Sequence, residues 1–105
     1  MPSGWRDVSV ELPAPGRMSA FAVDGLELVL CNVSGVPCVI EDRCPHAEAA
    51  LSEGRLEGAV LECPLHGGKL DVKSGAPAAP PIRRAVRTFP VRRDGERLQV
   101  EIPDA

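Results

Sequence analysis

Apolar and polar residues alternate with a period of two along much of the chain, in runs too short for helices. The alternation is clearest over residues 5–10, 18–23, 26–33, 36–41, 59–62, 69–72, 86–91 and 97–102, which predicts about eight short strands. Asp24-Gly25, Ser34-Gly35 and Asp94-Gly95 separate neighbouring runs and suit two-residue hairpin turns, because glycine accepts positive φ. Counting outward from Ser34-Gly35 sets Val33 opposite Val36, Asn32 opposite Pro37 and Cys31 opposite Cys38. Pro37 then takes a non-hydrogen-bonded position, where its missing N–H costs little. No segment carries a long amphipathic helical pattern. At most residues 47–52 form a helical turn, ended by Gly54. The pattern predicts an all-β fold, a small antiparallel β-sandwich.

A length of 105 residues allows one domain over 1–105 with a modest core. The three aromatics, Trp5, Phe21 and Phe89, leave that core to Val, Leu, Ile and Ala, while ten glycines and eleven prolines fit many tight turns. A net charge of −3 argues against a nucleic-acid partner, which calls for a clustered basic face. No run reaches the ~20 apolar residues of a membrane span, and the N-terminal stretch has no apolar core of leader length. The expected location is therefore the reducing cytoplasm, where disulfides seldom persist. Cys31 and Cys38 read there as two small apolar core residues rather than a bridge.

Cys44 and Cys63 need a different account. The chain has only two histidines, and each follows a cysteine closely, in Cys44-Pro45-His46 and Cys63-Pro64-Leu65-His66-Gly67. Both motifs follow strand segments, so two loop tips each offer one thiolate and one imidazole. These donors suit iron or zinc alike. A Cys-x-His pair is tight for two ligands on one tetrahedral ion, though zinc is not excluded by it. It fits better if each loop straddles two metals, with Cys44 and Cys63 on an inner iron and His46 and His66 on an outer one.

Together with Leu51-Ser52-Glu53-Gly54 and the proline-rich 75–81 stretch, these motifs resemble the Rieske-type [2Fe-2S] ferredoxins of bacterial aromatic ring-hydroxylating dioxygenase systems. The resemblance runs from about residue 25 to 102 and includes Asp71-Val72, Ser74-Gly75 and Thr88-Phe89-Pro90-Val91. It implies a cluster-binding subdomain over about 43–82, one Rieske cluster on Cys44, His46, Cys63 and His66, and no catalytic residues. It also implies a one-electron carrier between a flavoprotein reductase and a terminal oxygenase, with substrate oxidation on that partner; a diffusing carrier needs no obligate partner, so a monomer is expected. The histidine edges become the electron exit, and Leu65, Pro80 and Pro81 shield the sulfides.

Two neutral imidazoles in place of two thiolates leave the oxidised cluster less negative and raise its potential. This chain has no tyrosine, no further cysteine in the first loop after His46, and Leu65 where high-potential relatives carry a bridging cysteine. The low end of the roughly −150 to +300 mV Rieske range follows. Two other functions compete: the small Rieske-like subunit of an assimilatory nitrite reductase, and a non-redox zinc-binding interaction module. A terminal oxygenase needs a mononuclear 2-His-1-carboxylate iron, and no histidine is spare for it.

Around the motifs, Glu41, Asp42, Glu48, Glu53 and Glu57 offer either a negative docking patch or a solvated surface. Arg83, Arg84, Arg87, Arg92, Arg93 and Arg97 read as a water-facing string. Gly67 and Gly68 are expected to let the backbone approach the cluster.

Overall fold

The computed structural model describes residues 4–103; residues 1–3, where the stretch read for a leader begins, and 104–105 lie outside the described residues. The strands are β1 (Gly4–Asp7), β2 (Met18–Val23), β3 (Leu26–Val33), β4 (Val36–Glu41), β5 (Arg55–Glu57), β6 (Val60–Glu62), β7 (Lys69–Asp71), β8 (Pro77–Ala79), β9 (Thr88–Phe89), β10 (Val91–Asp94) and β11 (Arg97–Ile102). All pairings are antiparallel. They build an outer sheet β1-β11-β10, a central sheet β2-β3-β4-β9 and a third sheet β5-β6-β7-β8. Among the described residues the only helical element is a 3₁₀ turn, Leu51–Glu53.

The central sheet is covered on both faces, and β3 shows why. Its side chains alternate, yet both sets are buried. Leu28 and Leu30 join Phe21, Val39 and Phe89 against Leu98, Val100 and Ile102 of the outer sheet. Val29, Cys31 and Val33 join Ile40 and pack with Leu51, Leu61, Leu70, Val72, Ile82 and Val86 of the segment that carries the third sheet. The molecule is thus a sandwich with a lobe on the back of its central sheet.

The hairpin register at β3–β4 matches the sequence count, with Val33 opposite Val36, Asn32 opposite Pro37 and Cys31 opposite Cys38. Cys31 and Cys38 are free thiols. Asn32 is the buried polar residue of this strand, and all its hydrogen-bonding groups are used. Its Nδ2 donates to Pro13 O (2.7 Å), its Oδ1 accepts from Gly35 N (2.6 Å), and its backbone exchanges bonds with Gly16 and Arg17. One residue therefore closes the turn and anchors the first proline-rich loop.

Several boundaries differ from the sequence reading. The third turn is Gly95-Glu96 rather than Asp94-Gly95, because Asp94 pairs with Arg97. Gly95 has φ +64 and no positive φ occurs at Glu96, the pattern of a turn with glycine first. The run 86–91 divides at Pro90: β9 pairs with β4 and β10 with β11, so the chain changes sheets at a residue with no N–H to leave unpaired. The first strand stops at Asp7, and Val8 and Val10 instead pack irregularly against the sandwich core. The helical turn at 47–52 is reduced to Leu51–Glu53. Gly54 ends it with φ −85, so the glycine is required for space: a Cβ there would stand 2.0 Å from Glu62 O.

Candidate metal centre

The central sheet and the lobe each deliver one ligand loop. β4 runs out through Asp42 and Arg43 into Cys44, and β6 ends directly before Cys63, which opens the β6–β7 connection. The two loops close in the same way. Cys44 N donates to Ala49 O (3.0 Å), and Cys63 N donates to Gly68 O (2.7 Å). Each cysteine thus begins a six-residue loop whose ends are tied by its own N–H, and a proline follows it in both cases.

That closure turns the sulfurs inward. Cys44 is 3 % exposed and Cys63 2 %, and both belong to the lobe core. His46 and His66 are exposed at the loop tips, with ring centroids 5.4 Å apart and planes at 89°. His66 has φ +66, a left-handed conformation uncommon for a residue with a side chain; Gly67 follows at φ +69. Burial pushes the Cys63 thiol up, a hydrogen bond with the Cys44 side chain adds to this, and the Leu65 backbone N–H donating to the sulfur opposes it. Two adjacent buried sulfurs cannot both ionise at little cost without a cation between them.

The four sequence-predicted ligands are therefore brought to one end of the molecule, as a sulfur pair beneath an imidazole pair. Among the described residues no three His, Cys, Asp or Glu side chains gather around a single point. Two soft donors inside and two imidazoles outside fit a binuclear group with unlike ends.

Other residues fix the loops. Asp42 accepts from Ser52 N and Ser52 Oγ, both at 2.6 Å, and so ties the two ends of the first loop. Arg84 Nη2 donates to Pro45 O at 2.7 Å. Neither tie was legible in the sequence, since Asp42 looks like any surface acid and Arg84 lies 39 residues from its partner. A Cβ on Gly68 would stand 2.7 Å from Ile82 Cγ1, so this glycine permits a close approach to the segment after the proline stretch. That stretch forms edge strand β8, paired with β7 through an irregular register.

Of the acidic residues, Glu48, Glu53 and Glu57 are exposed. Asp42 is spent on Ser52, and Glu41 Oε1 accepts from Arg87 N (2.9 Å), so the patch is smaller than the sequence suggests. The six arginines of the string are exposed as expected. Several cover neighbours, Arg92 standing 4.1 Å above the Trp5 ring and Arg87 5.1 Å above that of Phe89.

The Rieske [2Fe-2S] domain family matches residues 6–90. The chain belongs to this family. It is 34% identical over 103 residues to the ferredoxin component of the naphthalene 1,2-dioxygenase system of Pseudomonas aeruginosa, across 97% of this chain and 99% of the relative. It is 40% identical over 89 residues to the ferredoxin component of biphenyl 2,3-dioxygenase of Rhodococcus jostii (strain RHA1), across 85% and 83%. A solved complex of reduced oxygenase and oxidized ferredoxin in carbazole 1,9a-dioxygenase contains a chain that superposes with a TM-score of 0.84 at 33% identity, 91% of each chain being covered. A nitrite reductase small subunit from Mycobacterium tuberculosis superposes with a TM-score of 0.83 at 20% identity, a likeness of fold alone. The Rieske ferredoxin described here carries one [2Fe-2S] cluster and is an electron carrier rather than a catalyst. The zinc-module alternative falls with that assignment.

No helix among the described residues is long and apolar enough to cross a membrane.

Proposed function

We propose that Cys44 and Cys63 ligate the inner iron and His46 and His66 the outer iron, and that the protein passes single electrons from a flavoprotein reductase to the terminal oxygenase of an aromatic-ring dioxygenase. One observation carries the reading: two buried sulfurs lie beneath two exposed imidazoles whose centroids are 5.4 Å apart. When bound, the cluster supplies a one-electron redox centre. The protein holds its sulfur end away from water, through burial of both cysteines within the lobe core, and turns its imidazole end outward. A partner docking at this tip would meet His46 and His66, the exposed pair of the four, rather than the buried cysteines. Leu65, 43 % exposed between the two loop ends of that tip, gives a partner an apolar contact. The absence of tyrosine, and Leu65 in place of a bridging cysteine, support a potential at the low end of the roughly −150 to +300 mV Rieske range.

In this reading the chain works as one domain over 1–105, with its cluster-binding part over about 43–82, as a monomer in the reducing cytoplasm. The relatives named as ferredoxin components of dioxygenase systems support the oxygenase partner. Low-temperature EPR of the dithionite-reduced protein tests the ligand set. A rhombic spectrum with average g near 1.9 and two coupled imidazole nitrogens is expected. A colourless, EPR-silent protein with stoichiometric zinc would overturn it.

A further inference from the structure

The segment 82–87 crosses both ligand loops. Ile82 is buried and lies where Gly68 of the second loop leaves room for it. Two residues on, Arg84 reaches back to the first loop and donates from Nη2 to Pro45 O at 2.7 Å. The segment is itself held at its far end. Val86 is buried and its N–H donates to Gly75 O (2.9 Å), while Arg87 and Glu41 exchange two bonds, Glu41 N to Arg87 O (3.0 Å) and Arg87 N to Glu41 Oε1 (2.9 Å). Arg84 therefore projects from a fixed backbone.

The bond falls at a sensitive place. Pro45 lies between the two ligands of its loop, and its carbonyl belongs to the peptide that leads into His46. Holding that oxygen fixes the plane of the Pro45–His46 peptide and, with it, the direction in which His46 leaves the backbone. Cys44 N is already committed to Ala49 O, and proline has no N–H to offer. The guanidinium is the contact that reaches this peptide from outside the loop. On the second loop the corresponding restraint is built in, through the left-handed His66-Gly67 pair and Ile82. The first loop has no positive φ between Cys44 and Ala49 and takes its restraint from a side chain.

We propose that Arg84 is a positioning residue for the redox site, setting the orientation of the His46 imidazole through the Pro45 carbonyl. The proposal rests on His46 being a cluster ligand. A charge-assisted donor on a carbonyl makes a stronger tether than a neutral one, and the planar guanidinium is pre-organised for it.

The test uses the full-length protein with its cluster. Arg84→Met keeps the aliphatic stem and loses every donor; Arg83→Met removes the same charge one residue away, where no bond to Pro45 exists; Arg84→Lys keeps a charged donor. Pulsed EPR on the reduced proteins reads the two imidazole nitrogen couplings, and potentiometry at two ionic strengths reads the effect of charge. The expected result is that one of the two couplings shifts in Arg84→Met, neither shifts in Arg83→Met, and Arg84→Lys restores the native pair. An Arg84→Met protein that keeps its β circular dichroism but loads no cluster, while Arg83→Met loads fully, also supports the tether. Unchanged couplings in Arg84→Met overturn the proposal. So do equal changes in both Met variants that fade at high ionic strength, since they report charge alone. If His46 is not a ligand, the wild-type spectrum already shows it by lacking the second imidazole coupling, before any variant is compared.

Discussion

The sandwich and the lobe are built on different terms. β2, β3, β4 and β11 run six to eight residues each, and the core between the outer and central sheets is purely apolar. The lobe has four strands of three residues each, and its buried cluster includes Cys44 and Cys63. Short strands offer few ladder bonds and little area, so the lobe closes around Cys44 and Cys63 as much as around its leucines. On the proposed ligand set, the cofactor of the Rieske ferredoxin is part of one core and a stranger to the other.

The largest expected effect is loss of the cluster. Cys63→Ser should abolish the visible absorption, and hydrogen exchange should then show protection lost over residues 55–79 and kept in β3 and β11. Equal protection in both regions without the cluster would break the comparison. Next, Leu30→Ala and Leu61→Ala, both fully buried, should each cost about 2–5 kcal/mol in the loaded protein. In the Cys63→Ser background, denaturant titration should find the Leu30 cost intact and most of the Leu61 cost gone. Removing the tie at the loop ends by Asp42→Ala should cost about 1–3 kcal/mol and speed release of iron to a chelator, while leaving unfolding of the sandwich, followed by Trp5 fluorescence, little changed.

The smallest effect is a pH dependence. Burial first, then the neighbouring Cys38 and Asp42, push the Cys31 thiol from 9.0 up to about 12. The folded protein keeps this proton while the unfolded chain loses it above pH 9, so stability falls as pH rises from about 9 towards 12. The slope is about 1.4 kcal/mol per pH unit for one group. Relative to Cys31→Ala, the wild type should lose about that much between pH 9.5 and 10.5 in urea unfolding. Because Cys31 faces the lobe, a slope that persists undiminished in Cys63→Ser would show that the lobe stays closed without its cluster.

The sandwich was largely legible because its hairpins announce themselves. Asp24-Gly25 and Ser34-Gly35 occupy turns with positive φ at both positions, and one such turn sets the register of every pair outward from it, Cys31 and Cys38 included. The lobe was less legible. Arg55-Leu56-Glu57 is too short to show a period, and Pro77 argues against the strand that it starts at a sheet edge. The candidate ligand set could be proposed from four residues because histidine is so scarce. The supports could not: Asp42–Ser52, Gly68–Ile82 and Arg84–Pro45 join residues that only the folded chain brings together.

A strand with no face to water is a poor place for variation to accumulate. Each residue of β3 from Leu28 to Val33 is buried, so an inherited change there meets a packed interior whichever way its side chain points. The loop tips carry no such obligation, and Pro64, Leu65 and Glu48 stand in solvent. A lineage can therefore explore new docking partners at the tip while the frame that presents the electron stays as it was.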